Sequence, residues 1–241
     1  MSLRNPEQQT AVLHEEGPIL ILAGAGSGKT RVITHRIAHL IQKKKVHPQN
    51  ILAVTFTNKA ANEIKHRVGS LIQQNVDRLW IGTFHSICTR ILRTHAPSLG
   101  YSTDFTIFDD QDSLSLIKKC LKTLNLDDSK LEPKAVLGQI NRAKNKGFVS
   151  SEFSNRTSNY FEKTVSSIYE LYQSELAKNN SMDFGDLLLQ TVEIFRTRPE
   201  VLTEYQDQFR YVLIDEYQDT NRIQYLFAHS IAKAHKNICA V

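Results

Sequence analysis

The 241-residue sequence has little cysteine, no long apolar run and no repeated or low-complexity tract. Cys88, Cys120 and Cys239 lie far apart and form no Cys-x-x-Cys pair. Neither a zinc cluster nor a disulfide framework is therefore indicated, and a reducing, cytoplasmic setting is expected. No apolar stretch approaches the roughly 20 residues that span a bilayer, so no membrane partner is expected. The N-terminus shows no basic-then-apolar signal segment. Apolar residues make up 41% and charged residues 23%, which excludes a disordered chain and suits a globular one of one or two domains.

Acidic charge is scarce in one part of the chain. Residues 1–104 carry 13 Lys/Arg against 6 Asp/Glu, residues 105–184 carry 11 of each, and residues 185–241 carry 6 against 8. The basic excess of the first segment suits a nucleic-acid face or an ordinary solvated surface, and charge alone favours the second.

Short apolar runs alternate with helical periodicity. Ile19–Leu22, Ile51–Val54, Leu79–Ile81, Tyr211–Ile214 and Ile238–Val241 read as buried strands. Helical spacing follows the first three: Val32, Ile33, Ile37, Leu40 and Ile41; then Ala60, Ala61, Ile64 and Val68; then the stretch from Ser86 to Leu92. Continuous apolar strands alternating with helices predict an α/β fold, a parallel sheet covered on both faces. From about 109 to 180 the patterns are helical only, with no strand of comparable strength. This predicts a core of residues 1–104 and 185–241 carrying an all-helical insertion at 105–184.

The residues that carry chemistry sit at strand ends. After the first strand comes Ala23-Gly24-Ala25-Gly26-Ser27-Gly28-Lys29-Thr30-Arg31. It matches the phosphate-loop pattern Gly-x-x-x-x-Gly-Lys-[Ser/Thr] except for Ala23 at its first position. Glycines let backbone N–H groups fold around phosphate oxygens, and the helix that follows adds its positive end. Lys29 is expected on the β- and γ-phosphates of ATP, and the Thr30 hydroxyl on Mg²⁺. A hydrolase also needs a carboxylate for the metal and a group for the water. Asp215 and Glu216, at the end of the strand Tyr211–Ile214, supply both.

The loop at 23–30, the run Thr55-Phe56-Thr57-Asn58-Lys59-Ala60-Ala61, the run Gly82-Thr83-Phe84-His85-Ser86 and the run Asp215-Glu216-Tyr217-Gln218-Asp219-Thr220-Asn221 occur in that order. In this they resemble superfamily 1 DNA helicases of the UvrD/Rep/PcrA type, across essentially the whole chain. The resemblance implies a RecA-like motor domain that couples ATP hydrolysis to 3′–5′ movement on single-stranded DNA and to duplex unwinding. It implies that Gln8, in Asn5-Pro6-Glu7-Gln8, reads adenine. It makes Phe56 a base-stacking residue, although a Phe after a strand is more often a core aromatic. Asn58, Thr83 and His85 become DNA-backbone contacts, and Gln218 and Asp219 couple the two sites. Asp183-Phe184-Gly185-Asp186 resembles a further DNA-facing segment, usually Asp-Phe-Asp-Asp, with Phe184 on the DNA; Gly185 departs from that pattern. Lys144 and Lys146 are candidate phosphate contacts near a single/double-strand junction, or a solvated basic turn.

The family's next motif, with a Gln that senses the γ-phosphate, and its second motor domain, with γ-phosphate arginines, have no counterpart in these residues. Such arginines contribute on the order of 10³–10⁵ in rate. The chain is therefore expected to be a fragment that binds ATP and hydrolyses it poorly alone. Repair or replication proteins are the partners the resemblance allows. The rival readings are another P-loop NTPase, which would lack the Thr-Phe-Thr-Asn-Lys and Thr-Phe-His-Ser turns, and an ATP-gated nucleic-acid-binding or partner-docking module without unwinding activity.

Overall fold

A computed structural model describes residues 5–24, 26–73, 76, 78–126 and 131–241. In chain order the elements are α1 (Pro6–Leu13), β1 (Ile19–Leu20), α2 (Lys29–Gln42), β2 (Ile51–Thr55), α3 (Asn58–Ile72), β3 (Trp80–Thr83), α4 (Phe84–His95), β4 (Thr106–Phe108), α5 (Asp110–Thr123), α6 (Pro133–Asn145), α7 (Ser150–Ser154), α8 (Tyr160–Lys178), β5 (Ser181–Asp183), α9 (Phe184–Thr197), α10 (Pro199–Gln208), β6 (Tyr211–Ile214), α11 (Arg222–Ala232) and β7 (Ile238–Ala240).

The chain divides into two compact units. One comprises Met1–Ile87, Arg198–Thr220 and Ala228–Val241; the other comprises Cys88–Thr197 and Asn221–Phe227. The first unit holds a five-stranded sheet in the order β1-β7-β6-β2-β3, with every neighbouring pair parallel. Side-chain alternation divides its strands between two layers. Ile51, Ala53, Ile81 and Leu213 pack with Ile33, Ile37 and Leu40 of α2 and Ile64 and Val68 of α3. On the opposite face Trp80 meets Phe209 edge-on at 5.0 Å and Tyr205 of α10 at 6.3 Å. Helices therefore cover both faces, as the alternating pattern predicts. Thr57 starts α3 by accepting a hydrogen bond from the Ala60 N–H at 3.1 Å on its hydroxyl.

The first strand departs from expectation. Only Ile19 and Leu20 are strand, and Leu20 and Leu22 are 60% and 87% exposed. β1 lies at the sheet edge with β7 as its one neighbour, so an apolar run there is not buried on both sides.

The second unit centres on a helical core of Leu116, Ile117 and Leu121 of α5, Val136 and Ile140 of α6, and Val165, Ile168 and Tyr169 of α8. It also holds a two-stranded parallel sheet, with Thr106 opposite Ser181 and Phe108 opposite Asp183. Three-residue strands of mixed polarity, Thr-Ile-Phe and Ser-Met-Asp, carry no periodic signal, which is why the sequence reads as helical only here. The helical unit extends to Cys88 on one side and Thr197 on the other, beyond the 105–184 drawn from the strand runs. Most of α4 and all of α9 group with it. The three cysteines are free and buried, and burial pushes the Cys88 thiol up to about 12. Among the described residues no helix is long and apolar enough to cross a membrane.

Candidate nucleotide site and nucleic-acid interface

Every strand of the main sheet runs parallel, so the segments leaving β1, β2, β3 and β6 emerge at one edge. That edge is where parallel sheets hold ligands. The phosphate-loop segment leaves β1. Gly26 and Gly28 have φ of 75° and 90°, a region that strains any residue with a Cβ. The Ser27 hydroxyl donates to the Gly24 carbonyl at 2.6 Å and narrows the turn. Helix α2 then starts at Lys29 with Gly28 as its cap, which makes no side-chain cap hydrogen bond, and a helix start of this kind suits an anion. Ala23 is half-buried before this turn; Ala25 lies outside the described residues. Arg31 follows on the first turn of α2.

Gln8 reaches the same loop from α1. Its side-chain amide donates to the Ser27 carbonyl at 2.8 Å, and a Cβ on Gly28 would lie 3.2 Å from that nitrogen. One N–H is thus used on the loop. The other, with the amide oxygen, remains for the two-point pairing that adenine N7 and N6 allow.

Asp215 and Glu216 leave β6 toward this loop. The Thr30 hydroxyl lies 3.5 Å from Asp215 Oδ2, long for a hydroxyl hydrogen bond. Asp215 is 2% exposed, and its Oδ1 is buried without a hydrogen-bond partner. Burial, then the neighbouring Glu216 charge, push its pKa above the usual carboxylate range, against the pull of the Glu216 backbone N–H, Thr30 and Lys29. Glu216 sits in the left-handed region at φ 54° and is held by Lys29 Nζ at 3.5 Å and by the Gln218 side-chain amide. A buried carboxylate short of a partner beside a hydroxyl and a phosphate loop fits a divalent cation. Among the described residues no group of three or more His, Cys, Asp or Glu forms a metal cluster.

The next two turns hold the residues expected on nucleic acid. Phe56 is half-buried and rests edge-on against the buried Phe84, ring centroids 5.8 Å apart. It is thus neither a free surface ring nor a core one. Asn58 is exposed at the start of α3. Thr83 is buried, and its hydroxyl accepts from the Ser86 N–H at 3.2 Å while the Ser86 hydroxyl donates to the Thr83 carbonyl at 2.9 Å. A Cβ on Gly82 would come 2.5 Å from that Ser86 oxygen, so a larger residue there would push the hydroxyl off the Thr83 carbonyl. His85 is half-buried, and burial holds its imidazole below the ordinary histidine range, neutral at pH 7.

Phe184 belongs to the helical unit, where it is 48% exposed at the start of α9. Lys144 does not face solvent. It is fully buried, with Nζ 2.7 Å from Asp183 Oδ2 and 2.8 Å from Asp186 Oδ1, so it contacts no phosphate. Its position was readable in part: Val136, Ile140 and Lys144 recur every four residues, which puts the lysine on the buried stripe of α6. Lys146 is exposed and lines a hollow of about 370 Å³ with Phe148, Arg156, Arg196 and Arg222. Arg196 is paired with Glu152 at 3.1 Å and Glu193 at 3.4 Å.

Residues 4–241 match the UvrD/REP helicase N-terminal domain. The ATP-dependent DNA helicase PcrA of Bacillus subtilis (strain 168) is 50% identical over 237 residues, 98% of this chain and 32% of that protein. The ATP-dependent DNA helicases PcrA of Staphylococcus aureus (strain Mu50) and Leuconostoc citreum are 46% and 45% identical over the same shares. The chain thus spans about a third of the length of these relatives. With the loop at 23–30, Asp215-Glu216 and the Phe56 and His85 turns at one edge of a parallel sheet, this chain belongs to the UvrD/REP helicase N-terminal domain family.

Proposed function

We propose that the chain is the ATP-binding motor portion of an ATP-dependent DNA helicase that moves 3′ to 5′ on single-stranded DNA and opens duplex. One observation carries this reading: the phosphate loop, Asp215-Glu216 and the Phe56 and His85 turns all leave the same edge of one parallel sheet. A nucleotide event at one end of that edge can then move DNA-contacting turns at the other. The motor core in this reading is the sheet unit, and the helical unit, drawn at 105–184 from the sequence, would meet the junction.

Ala23 to Arg31 would bind the ATP phosphates, with Lys29 on the β- and γ-phosphates and Gln8 on adenine. Thr30 and Asp215 would hold Mg²⁺, which neutralises charge building on the phosphoryl oxygens. Glu216 would orient the attacking water and accept its proton as the γ-phosphorus bond to the bridging oxygen breaks. Lys29 Nζ lies 3.5 Å from Glu216, so a bound phosphate would compete with that carboxylate for the lysine. Phe56, and Phe184 on the helical unit, would stack on bases, each stack worth roughly 1–3 kcal/mol and indifferent to sequence. Asn58 and His85 would meet the DNA backbone, and Thr83 would act by shaping its turn. Lys146 with Arg156 and Arg222 would meet duplex phosphates.

Calorimetric titration with Mg²⁺-ATP tests the site. Lys29→Ala should weaken affinity by about 10–100-fold, the loss of a charged contact; unchanged affinity removes the ATP reading. DNA affinity should fall steeply with salt, and a flat response removes the DNA surface. A full-length protein that binds both ligands and never separates strands would instead be the gated binding module.

A further inference from the structure

The helical unit contains a buried charge cluster that the proposed chemistry leaves unused. Lys144 Nζ sits between Asp183 and Asp186 at 2.7 and 2.8 Å. Those carboxylates flank Phe184 in sequence and hold its turn from both sides. The Asp186 N–H donates to Asp183 Oδ1 at 2.8 Å, and the Asp183 N–H donates to Asp186 Oδ2 at 3.2 Å. The remaining valences are met as well: the Tyr172 hydroxyl donates to Asp183 Oδ2 at 2.9 Å, and Gln173 Nε2 donates to Asp186 Oδ1 at 2.8 Å. The Lys144 ammonium also lies 5.2 Å from the Tyr172 ring centroid. Gly185 completes the fit, because a Cβ there would come 2.8 Å from Lys144 Cδ. The lysine stem thus fills the space beneath the peptide that carries Phe184, while the Phe184 ring remains half exposed.

We propose that Lys144 is a positioning residue for nucleic acid: clamped between Asp183 and Asp186, it fixes the turn that holds the Phe184 ring outward for a DNA base. The inference rests on the reading of Phe184 as a stacking residue. A half-exposed aromatic loses rotamer freedom when it stacks, and a turn fixed in advance has less to lose. Stacking affinity should therefore depend on groups that never touch the base.

The test uses the full-length protein and a fluorescein-labelled oligothymidylate. Lys144→Met leaves two buried carboxylates unpaired and can unfold the unit, so Tyr172→Phe, which keeps the ring and removes one hydrogen bond, is measured beside it. Each should weaken oligothymidylate binding about 3–10-fold, and each loss should vanish in a Phe184→Ala background. Hydrogen exchange at the amides of Phe184 to Asp186 should accelerate in both variants without DNA. Unchanged exchange, or a loss that adds fully to that of Phe184→Ala, overturns the positioning role. Faster exchange with a Phe184→Ala variant that binds normally instead overturns the stacking reading, and with it the role of Lys144 toward DNA.

Discussion

Asp183 ends β5 in the helical unit and Asp215 follows β6 in the sheet unit, so both carboxylates stand at the C-terminal end of a parallel strand, and both are nearly inaccessible. Their surroundings are opposite. Asp183 receives Lys144, the Tyr172 hydroxyl and the Asp186 N–H, and its pKa stays low although burial pushes it up. Asp215 meets the Thr30 hydroxyl at a long 3.5 Å, keeps Oδ1 buried without a hydrogen-bond partner, and has a pKa raised by burial and the Glu216 charge. A buried carboxylate with all its acceptors used stabilises a fold; one with an acceptor to spare is poised for a cation. The contrast separates framework from site more sharply than burial or residue type does.

The largest expected effect breaks the satisfied member. Lys144→Met should destabilise the helical unit by about 3–5 kcal/mol, read by urea denaturation, because two carboxylates lose their buried counter-charge. A loss below about 1 kcal/mol would mean that the pair is not the centre described here. The next effect fills the unsatisfied member. Mg²⁺-ATP at a hundredfold excess over its Kd should stabilise the protein by about 2.7 kcal/mol. Asp215→Asn should abolish most of that gain in a thermal shift assay. Tyr172→Phe comes third, at about 1.5–3 kcal/mol for one hydrogen bond to a charged acceptor.

The smallest effect has the opposite sign. Asp215 has a folded pKa above its unfolded one, so its contribution to stability is present below the unfolded pKa and lost as pH rises through the folded value. Above the folded value the ionised group carries its full cost. Without metal, Asp215→Asn should therefore raise the melting temperature slightly at pH 7, and the gain should disappear at pH 3. A lowered melting temperature at pH 7 would make Asp215 a framework residue like Asp183, and the comparison would collapse.

How far the sequence could be read depended on the range of the interactions involved. The main-sheet strands after β1 were legible because Ile51–Val54 and Tyr211–Ile214 are apolar on both faces, which only a doubly covered strand tolerates. Leu20 and Leu22 misled, since the same pattern fits an edge strand once its position is known. β4 and β5 escaped notice because three mixed residues carry no period. In the candidate site Lys29, Thr30, Asp215 and Glu216 were identifiable from motif chemistry at strand ends. The clamp of Gln8 on Ser27 and the hold of Ser86 on Thr83 were not, because each is a geometric fact about a turn.

The sequence by itself determined the family and the parallel α/β class, and it supplied the residues proposed to handle phosphate. Those follow from local patterns: apolar runs of strand length, glycines where φ must be positive, and a lysine and hydroxyl at a helix start. Only the tertiary structure decided which charges are framework and which are free. Lys144 and Lys146 stand two positions apart in one basic turn, yet one is buried between two carboxylates and the other is exposed. Two residues along a helix rotate a side chain by more than half a turn, and what waits on either side is set by packing from segments far away in the chain.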